Sequence, residues 1–192
     1  KEMAPFSDID LLFVIPYKQT AWGESVIESI LYILWDLKMK IGYSVRTVND
    51  CIRLGKQDMT IRTSLLEHRY LAGEASLQKN LMTHLWEDVF AKTGPEFIEA
   101  KLEERAGRHL RQGGARYMLE PNIKEGKGGL RDLQTLYWIT KYLYKTSTPE
   151  ELIKINVFSK EEFLIFQGAE NFLWAIRCCL HLTSKRASEH LN

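Results

Sequence analysis

The sequence predicts an α+β protein in which a short α/β part precedes an all-α helical part. Three observations lead there. Residues 9–15 (Ile-Asp-Leu-Leu-Phe-Val-Ile) are β-branched and aromatic and stop at Pro16, the pattern of a buried strand. Residues 24–38 carry Val26, Ile27, Ile30, Leu31, Leu34 and Leu37 at the spacing of an amphipathic helix. From Glu74 onward the strand pattern fades and the periodic segments are helical. The change near residues 73–76 divides the chain into domains of residues 1–74 and 75–192.

The remaining elements follow the same logic. Residues 40–48 are β-branched and aromatic after Gly42 and read as a second strand. Short helices are expected over 49–54 and 58–66, with Asp58 as the N-cap of the second. Leu77, Leu81, Leu85, Trp86, Val89 and Phe90 mark the next helix, and a charge-rich helix runs from Pro95 to about Arg111. Gly113, Gly114, Pro121, Gly126, Gly128 and Gly129 punctuate a long loop, beyond which residues 130–144 and 160–182 are again helical. The chain shows no repeat of fixed period and no low-complexity stretch.

Composition narrows the function classes. At 192 residues the chain suits one large domain or two small ones at ~150 residues per domain. Hydrophobic residues make up 45% of it, which excludes a mainly disordered chain. Lys and Arg total 26 against 25 Asp and Glu, a net charge of +1, so no broad basic field is offered to DNA or RNA. Cys51, Cys178 and Cys179 are odd in number and two are neighbours, which suits a reducing compartment and makes the cytoplasm the expected location. Cys178 and Cys179 are expected to pack in the core. The longest apolar run, broken by Asp10, is far shorter than the ~20 residues of a membrane helix, so no membrane partner is expected. The chain starts at Lys1 without a leader and stops after a helical pattern, and it is expected to be a fragment cut at both ends.

Two places carry chemistry. Ser7-Asp8-Ile9-Asp10 puts two carboxylates two residues apart at the head of the first strand, and the period of two points both to one face. Such a pair shares hard divalent cations that also hold substrate phosphates, the arrangement of metal-assisted phosphoryl transfer. A pair of solvated charges at a strand end is the plainer alternative, but a charge pair opening the most apolar run is costly unless used.

The second place is the loop Glu120-Pro-Asn-Ile-Lys-Glu-Gly-Lys-Gly-Gly-Leu-Arg-Asp-Leu-Gln134, which opens a helix at Leu130. Glycines and helix N-terminal N–H groups suit anion binding, with Gly128 and Gly129 for approach and Lys124, Lys127 and Arg131 for charge. The loop matches neither a Walker A nor a dinucleotide fingerprint, and an ordinary interhelical turn is the plainer alternative. Lys101, Arg105 and Arg108 lie along one helix face; a solvated stripe is expected there, a phosphate role being the alternative. The five histidines lack zinc-ligand spacing, and His181 reads as a satisfied, half-buried residue. No Gly-x-Ser-x-Gly elbow is present.

In order, these residues resemble the bacterial uridylyltransferase/uridylyl-removing enzymes that modify PII signal proteins. The resemblance rests on Ser7-Asp-Ile-Asp10; Trp35-Asp36 with Gly42-Tyr-Ser-Val-Arg-Thr47; Asp58-x-Thr60-x-x-Thr63-x-Leu65-Leu-Glu67-x-Arg69; and Glu120-Pro-Asn-x-Lys124 with Gly128-Gly-Leu-Arg-Asp-Leu-Gln134. It covers almost the whole chain. It implies a truncated nucleotidyltransferase domain of the polymerase-β-like type, then a helical domain shared with glutamine synthetase adenylyltransferases. The implied reaction moves UMP from UTP to a tyrosine of PII, releases pyrophosphate and requires Mg²⁺ or Mn²⁺. Asp8 and Asp10 match the metal-binding catalytic carboxylates, and Ser7 begins the same motif; Ser7, Lys124, Gly128, Gly129 and Arg131 are the expected nucleotide-binding residues.

The sequence departs from the family pattern in two ways. The Gly-Gly or Gly-Ser turn that grips the triphosphate about ten residues ahead of the acid pair is absent before Ser7, so this chain alone is expected to have little transferase activity. A third carboxylate is missing from the strand 43–47; Asp36, Asp58 and Asp132 are the substitutes available. The chain holds no His-Asp dipeptide, so the uridylyl-removing activity does not reside here in that form. The metal motif does not read the base, which keeps a protein adenylyltransferase or another regulatory nucleotidyltransferase as an alternative. A non-catalytic interaction module is the alternative of a different class.

Overall fold

The computed structural model describes residues 3–112, 119–146, 148 and 150–191; Gly113 and Gly114 lie outside them. The described residues divide into two compact units, one spanning Ser7–Lys92 and the other running from Thr93 onward and including residues 3–6. The mixture of a small sheet with many helices agrees with an α+β chain.

In the first unit β1 (Ile9–Ile15) runs parallel to β2 (Ile41–Thr47), in register from Ile9 beside Ile41 to Ile15 beside Thr47. Parallel strands need a long crossover, and α1 (Ala21–Asp36) supplies it. Thr20 caps α1 by accepting the Gly23 N–H at 3.2 Å. The apolar face expected of α1 is covered only in part: Ile27 and Leu31 are buried, whereas Val26, Ile30 and Leu37 are exposed. β1, expected to be buried, is half-covered for most of its length, as is β2, because a two-stranded sheet has little surface of its own to hide.

No loop separates β2 from α2 (Val48–Gln57). Thr47 ends the strand and caps the helix: its Oγ1 accepts the Asp50 N–H, and Asp50 Oδ2 accepts the Thr47 N–H, a reciprocal capping box. The Thr47 hydroxyl and the Arg53 guanidinium also hold the Asp50 carboxyl below its ordinary range. Asp58 caps α3 (Met59–Glu67) as expected, accepting the Ile61 N–H at 2.8 Å. Arg62 is buried in α3 and donates to the carbonyls of Gly55 at 2.7 Å and Lys56 at 2.9 Å, which the end of α2 leaves unpaired. Burial pushes the Cys51 thiol up to about 11, so it is inert at neutral pH.

α4 (Ala75–His84) leads into a π-helical turn, Leu85–Phe90, closed by the Ala91 N–H on the Trp86 carbonyl at 3.0 Å. The wider turn keeps Leu85, Val89 and Phe90 all buried, where a plain α-helix would rotate one of them outward. α4 packs on β1 and α2, and the π turn on α2. The first compact unit runs on through this turn to Lys92.

The second unit is built on α5 (Gly94–Arg111), α6 (Leu130–Tyr144), α7 (Glu151–Lys154) and α8 (Lys160–Ser184). Ser159 and Glu162 form a capping box at the start of α8. The four-residue α7 is too short to show a period in sequence. Phe97 is fully buried and stacks on Tyr142 with ring centroids 4.0 Å apart, which locks α5 to α6. Cys178 is half-buried and Cys179 exposed, so the two do not share the core position expected of them; adjacent residues of a helix point about 100° apart. Among the described residues no helix is long and apolar enough to cross a membrane. Phe97→Ala is expected to destabilise the helical unit by about 4 kcal/mol, measured by denaturant unfolding followed by circular dichroism.

Candidate functional site

Asp8 stands just ahead of β1 and Asp10 is its second residue, and both are exposed. They line one open depression of about 450 Å³ together with Trp35, Met39, Lys40, Ile41 and Gly42. The strand register explains the neighbours: Asp10 is paired with Gly42, and the Ile9 N–H bonds the Lys40 carbonyl at 2.8 Å. A β-carbon at position 42 would stand 2.8 Å from Asp10 Oδ1, so the missing side chain leaves room for the carboxylate. Trp35 and Met39 add an apolar wall and Lys40 a cation.

Ser7 does not line the depression. Its Oγ is buried with no hydrogen-bond partner among the described residues, so as placed it does not present the hydroxyl expected to meet a nucleotide. Among the described residues no group of three or more His, Cys, Asp or Glu converges. Asp36 ends α1, Asp58 is engaged as a cap, and neither lines the depression. Two carboxylates beside open space suit a hard cation that keeps water and substrate oxygens in its shell, as Mg²⁺ and Mn²⁺ do, and do not suit a closed zinc site.

The glycine loop of the second unit is engaged with itself. Gly128, at φ 74°, donates its N–H to Asp132 Oδ2 at 2.8 Å. The N–H groups of Gly129, Leu130 and Arg131 bond the carbonyls of Gly126, Ile123 and Lys124 at 2.9–3.0 Å. A β-carbon on Gly129 would meet the carbonyl oxygens of Ile123, Lys124 and Gly126 within 3.0 Å, so close approach there favours backbone over anion. Arg131 contacts Glu125 and Gln134 and lies over the Trp138 ring, and Lys124 faces Glu189 at 3.9 Å. A phosphate at this loop would have to displace these bonds.

The expected solvated stripe on α5 is largely buried. Lys101 is buried between the Phe97 and Trp138 rings, its Nζ 5.7 and 5.0 Å from their centroids, and bonds Glu104 at 2.5 Å. Arg108, also buried, donates to Asp132 at 2.5 Å, and His109 Nε2 lies 3.0 Å from the same carboxylate; Arg105 alone stays exposed, 3.6 Å from it. Burial alone would raise the Asp132 carboxyl, but the Gly128 N–H, Arg108 and His109 outweigh it and hold it below the ordinary range. The carboxylate offered by sequence as a third metal ligand is thus spent on closing the loop. The stripe was hidden from sequence reading because a cation's burial depends on a partner 24 positions away.

A model of the family described as GlnD PII-uridylyltransferase matches residues 96–192. The chain belongs to the GlnD PII-uridylyltransferase family. It is 61% identical, over 99% of its own length, to the bifunctional uridylyltransferase/uridylyl-removing enzymes of Cereibacter sphaeroides and Ruegeria pomeroyi, of which it covers 20% and 21%. The chain therefore spans about a fifth of the length of the curated relatives it matches. No solved structure matches it.

The helical unit of this chain thus contains a carboxylate whose protonation is resisted by the fold. Stability from Asp132 is fully present above the unfolded carboxyl value of about 4 and is lost as pH falls through the lower folded value. Asp132→Asn should cost about 3 kcal/mol at pH 7, since the buried Arg108 then keeps only Glu125, 3.6 Å away, as an ionic partner. The same variant should flatten the acid limb of stability below about pH 4, read from unfolding midpoints between pH 3 and 7.

Proposed function

We propose that this chain supplies the metal-binding strand of a nucleotidyltransferase domain of the polymerase-β-like type, which moves UMP from UTP to a tyrosine hydroxyl of PII. The observation that carries the reading is the Asp8 and Asp10 pair, at the head of β1 and lining one open depression, in a chain of the GlnD family. The relatives named above are uridylyltransferases, which supports uridylyl transfer as the reaction class.

Asp8 and Asp10 would together hold Mg²⁺ or Mn²⁺, which when bound neutralises triphosphate charge and eases displacement at the α-phosphorus. The chain's own residues do the rest. Lys40 offers a positive charge beside the pair for the polyphosphate, Gly42 leaves room for the Asp10 carboxylate, and Trp35 with Met39 gives one side an apolar surface. The tyrosine oxygen forms a bond to the α-phosphorus as the bond to the bridging oxygen breaks. Pyrophosphate leaves and the phenolic proton passes to solvent.

In the full-length protein, Asp8→Asn and Asp10→Asn are each expected to lower transfer of labelled UMP to PII by at least about a thousandfold, with the thermal midpoint unchanged. Near-normal turnover in both would refute the metal role. Gly42→Ala is expected to push the Asp10 carboxylate aside and raise the Mn²⁺ concentration for half-maximal activity by about tenfold, again without loss of fold; an unchanged Mn²⁺ requirement would exclude that steric account.

A further inference from the structure

Trp35 lies in the last turn of α1 and is 41% exposed, on the wall of the depression that holds Asp8, Asp10 and Lys40. The proposed chemistry gives that wall no ligand. The backbone that carries it is set by a specific turn. Lys38 takes the left-handed conformation at φ 60°, its N–H bonds the Trp35 carbonyl at 2.8 Å, and the Met39 N–H bonds the Leu34 carbonyl at 3.2 Å. These two bonds close the helix in a Schellman motif. The turn leads straight into β2, so Met39 and Lys40 line the same hollow as Trp35. The indole is braced as well: the Tyr32 ring, about one helical turn earlier, meets it edge to face with centroids 5.8 Å apart and planes at 83°.

An aromatic wall, one ammonium and two carboxylates thus share one hollow. A nucleoside triphosphate carries the matching chemistry in a single molecule: a flat base, a polyanion for Lys40, and oxygens that share a metal with the acid pair. A protein tyrosine brings only a ring and its hydroxyl. The volume of about 450 Å³ also lies within the ~300–1,000 Å³ of small-molecule sites.

We propose that Trp35 is the platform for the base of the nucleoside triphosphate: the uracil of UTP stacks on the indole while the polyphosphate reaches Lys40 and the acid pair. The inference rests on the metal role proposed for Asp8 and Asp10. Stacking needs only a flat π face, and every base has one, so Trp35 contributes grip on the nucleotide and not the choice of base. Its loss acts on nucleotide affinity and leaves displacement at the α-phosphorus unchanged.

The test uses the full-length protein with Trp35→Leu, which removes the aromatic face, and Trp35→Phe, which keeps a smaller one. Transfer of UMP to PII is followed with UTP varied and then with PII varied. Inorganic tripolyphosphate serves as a competitor that has no base, and Asp8→Asn runs in parallel. Trp35→Leu should raise KM for UTP by about tenfold, with kcat and KM for PII within about twofold and inhibition by tripolyphosphate unchanged. Trp35→Phe should recover most of the affinity. If Trp35→Leu does not fold, Trp35→Met takes its place against Trp35→Phe, and an equal KM for UTP in the two overturns the proposal. A raised KM for PII with KM for UTP unchanged assigns the wall to the acceptor tyrosine and overturns it. Equal weakening of UTP and tripolyphosphate makes Trp35 a packing residue and also overturns it. Unchanged KM for UTP in Trp35→Leu, while Asp8→Asn is inactive, overturns the stacking alone. Transfer surviving in Asp8→Asn overturns the acid-pair reading and this inference with it.

Discussion

The parallel pairing of β1 with β2 is the constraint on which the candidate site depends. It sets Asp10 beside Gly42 and brings the Lys40 carbonyl to the Ile9 N–H, so the acid pair and the residues around it are placed by one register. A shift by one residue would reverse the face of every side chain in the strand and set Tyr43 or Ile41 against Asp10. The same ladder runs without a loop into α2 through the Thr47 capping box, which ties the register to the helices behind it.

The helical unit is organised differently, around carboxylates that gather cations from distant positions. Asp132 joins Arg108, His109 and the Gly128 amide; Glu189 joins Arg177 and lies near His181. Breaking such buried pairs costs more than the pairs contribute, so their value lies in specifying one arrangement of loop and helix. This recasts the glycine loop. Its glycines allow a positive φ at 128 and a close carbonyl approach at 129, both needed to fold the segment on itself against α6.

Much was legible from residues alone because local rules acted unopposed. The first strand fell at Ile9–Ile15, Asp58 capped α3, and the long helices appeared within a few residues of their expected ends. What misled was whatever depended on partners. The even apolar spacing of α1 suggested a covered face, yet only Ile27 and Leu31 are buried, since the spacing reports a helix and not what packs on it. The stripe of Lys101 and Arg108 looked solvated because charge predicts exposure only until an aromatic cage or a carboxylate arrives from elsewhere. His181 read as satisfied and half-buried, yet it is wholly buried with Nδ1 on the Phe6 N–H and Nε2 without a hydrogen-bond partner among the described residues.

By itself the sequence determined most of the secondary structure, the acid pair at the head of the first strand and the family resemblance, because periodicity, capping and short motifs are written within a few residues of each other. Only the tertiary structure decided which glycine leaves room for Asp10, which N–H groups the loop has already used, and which cations are buried. Those are contacts between segments far apart in the chain, and such contacts are set by the packing of the whole unit.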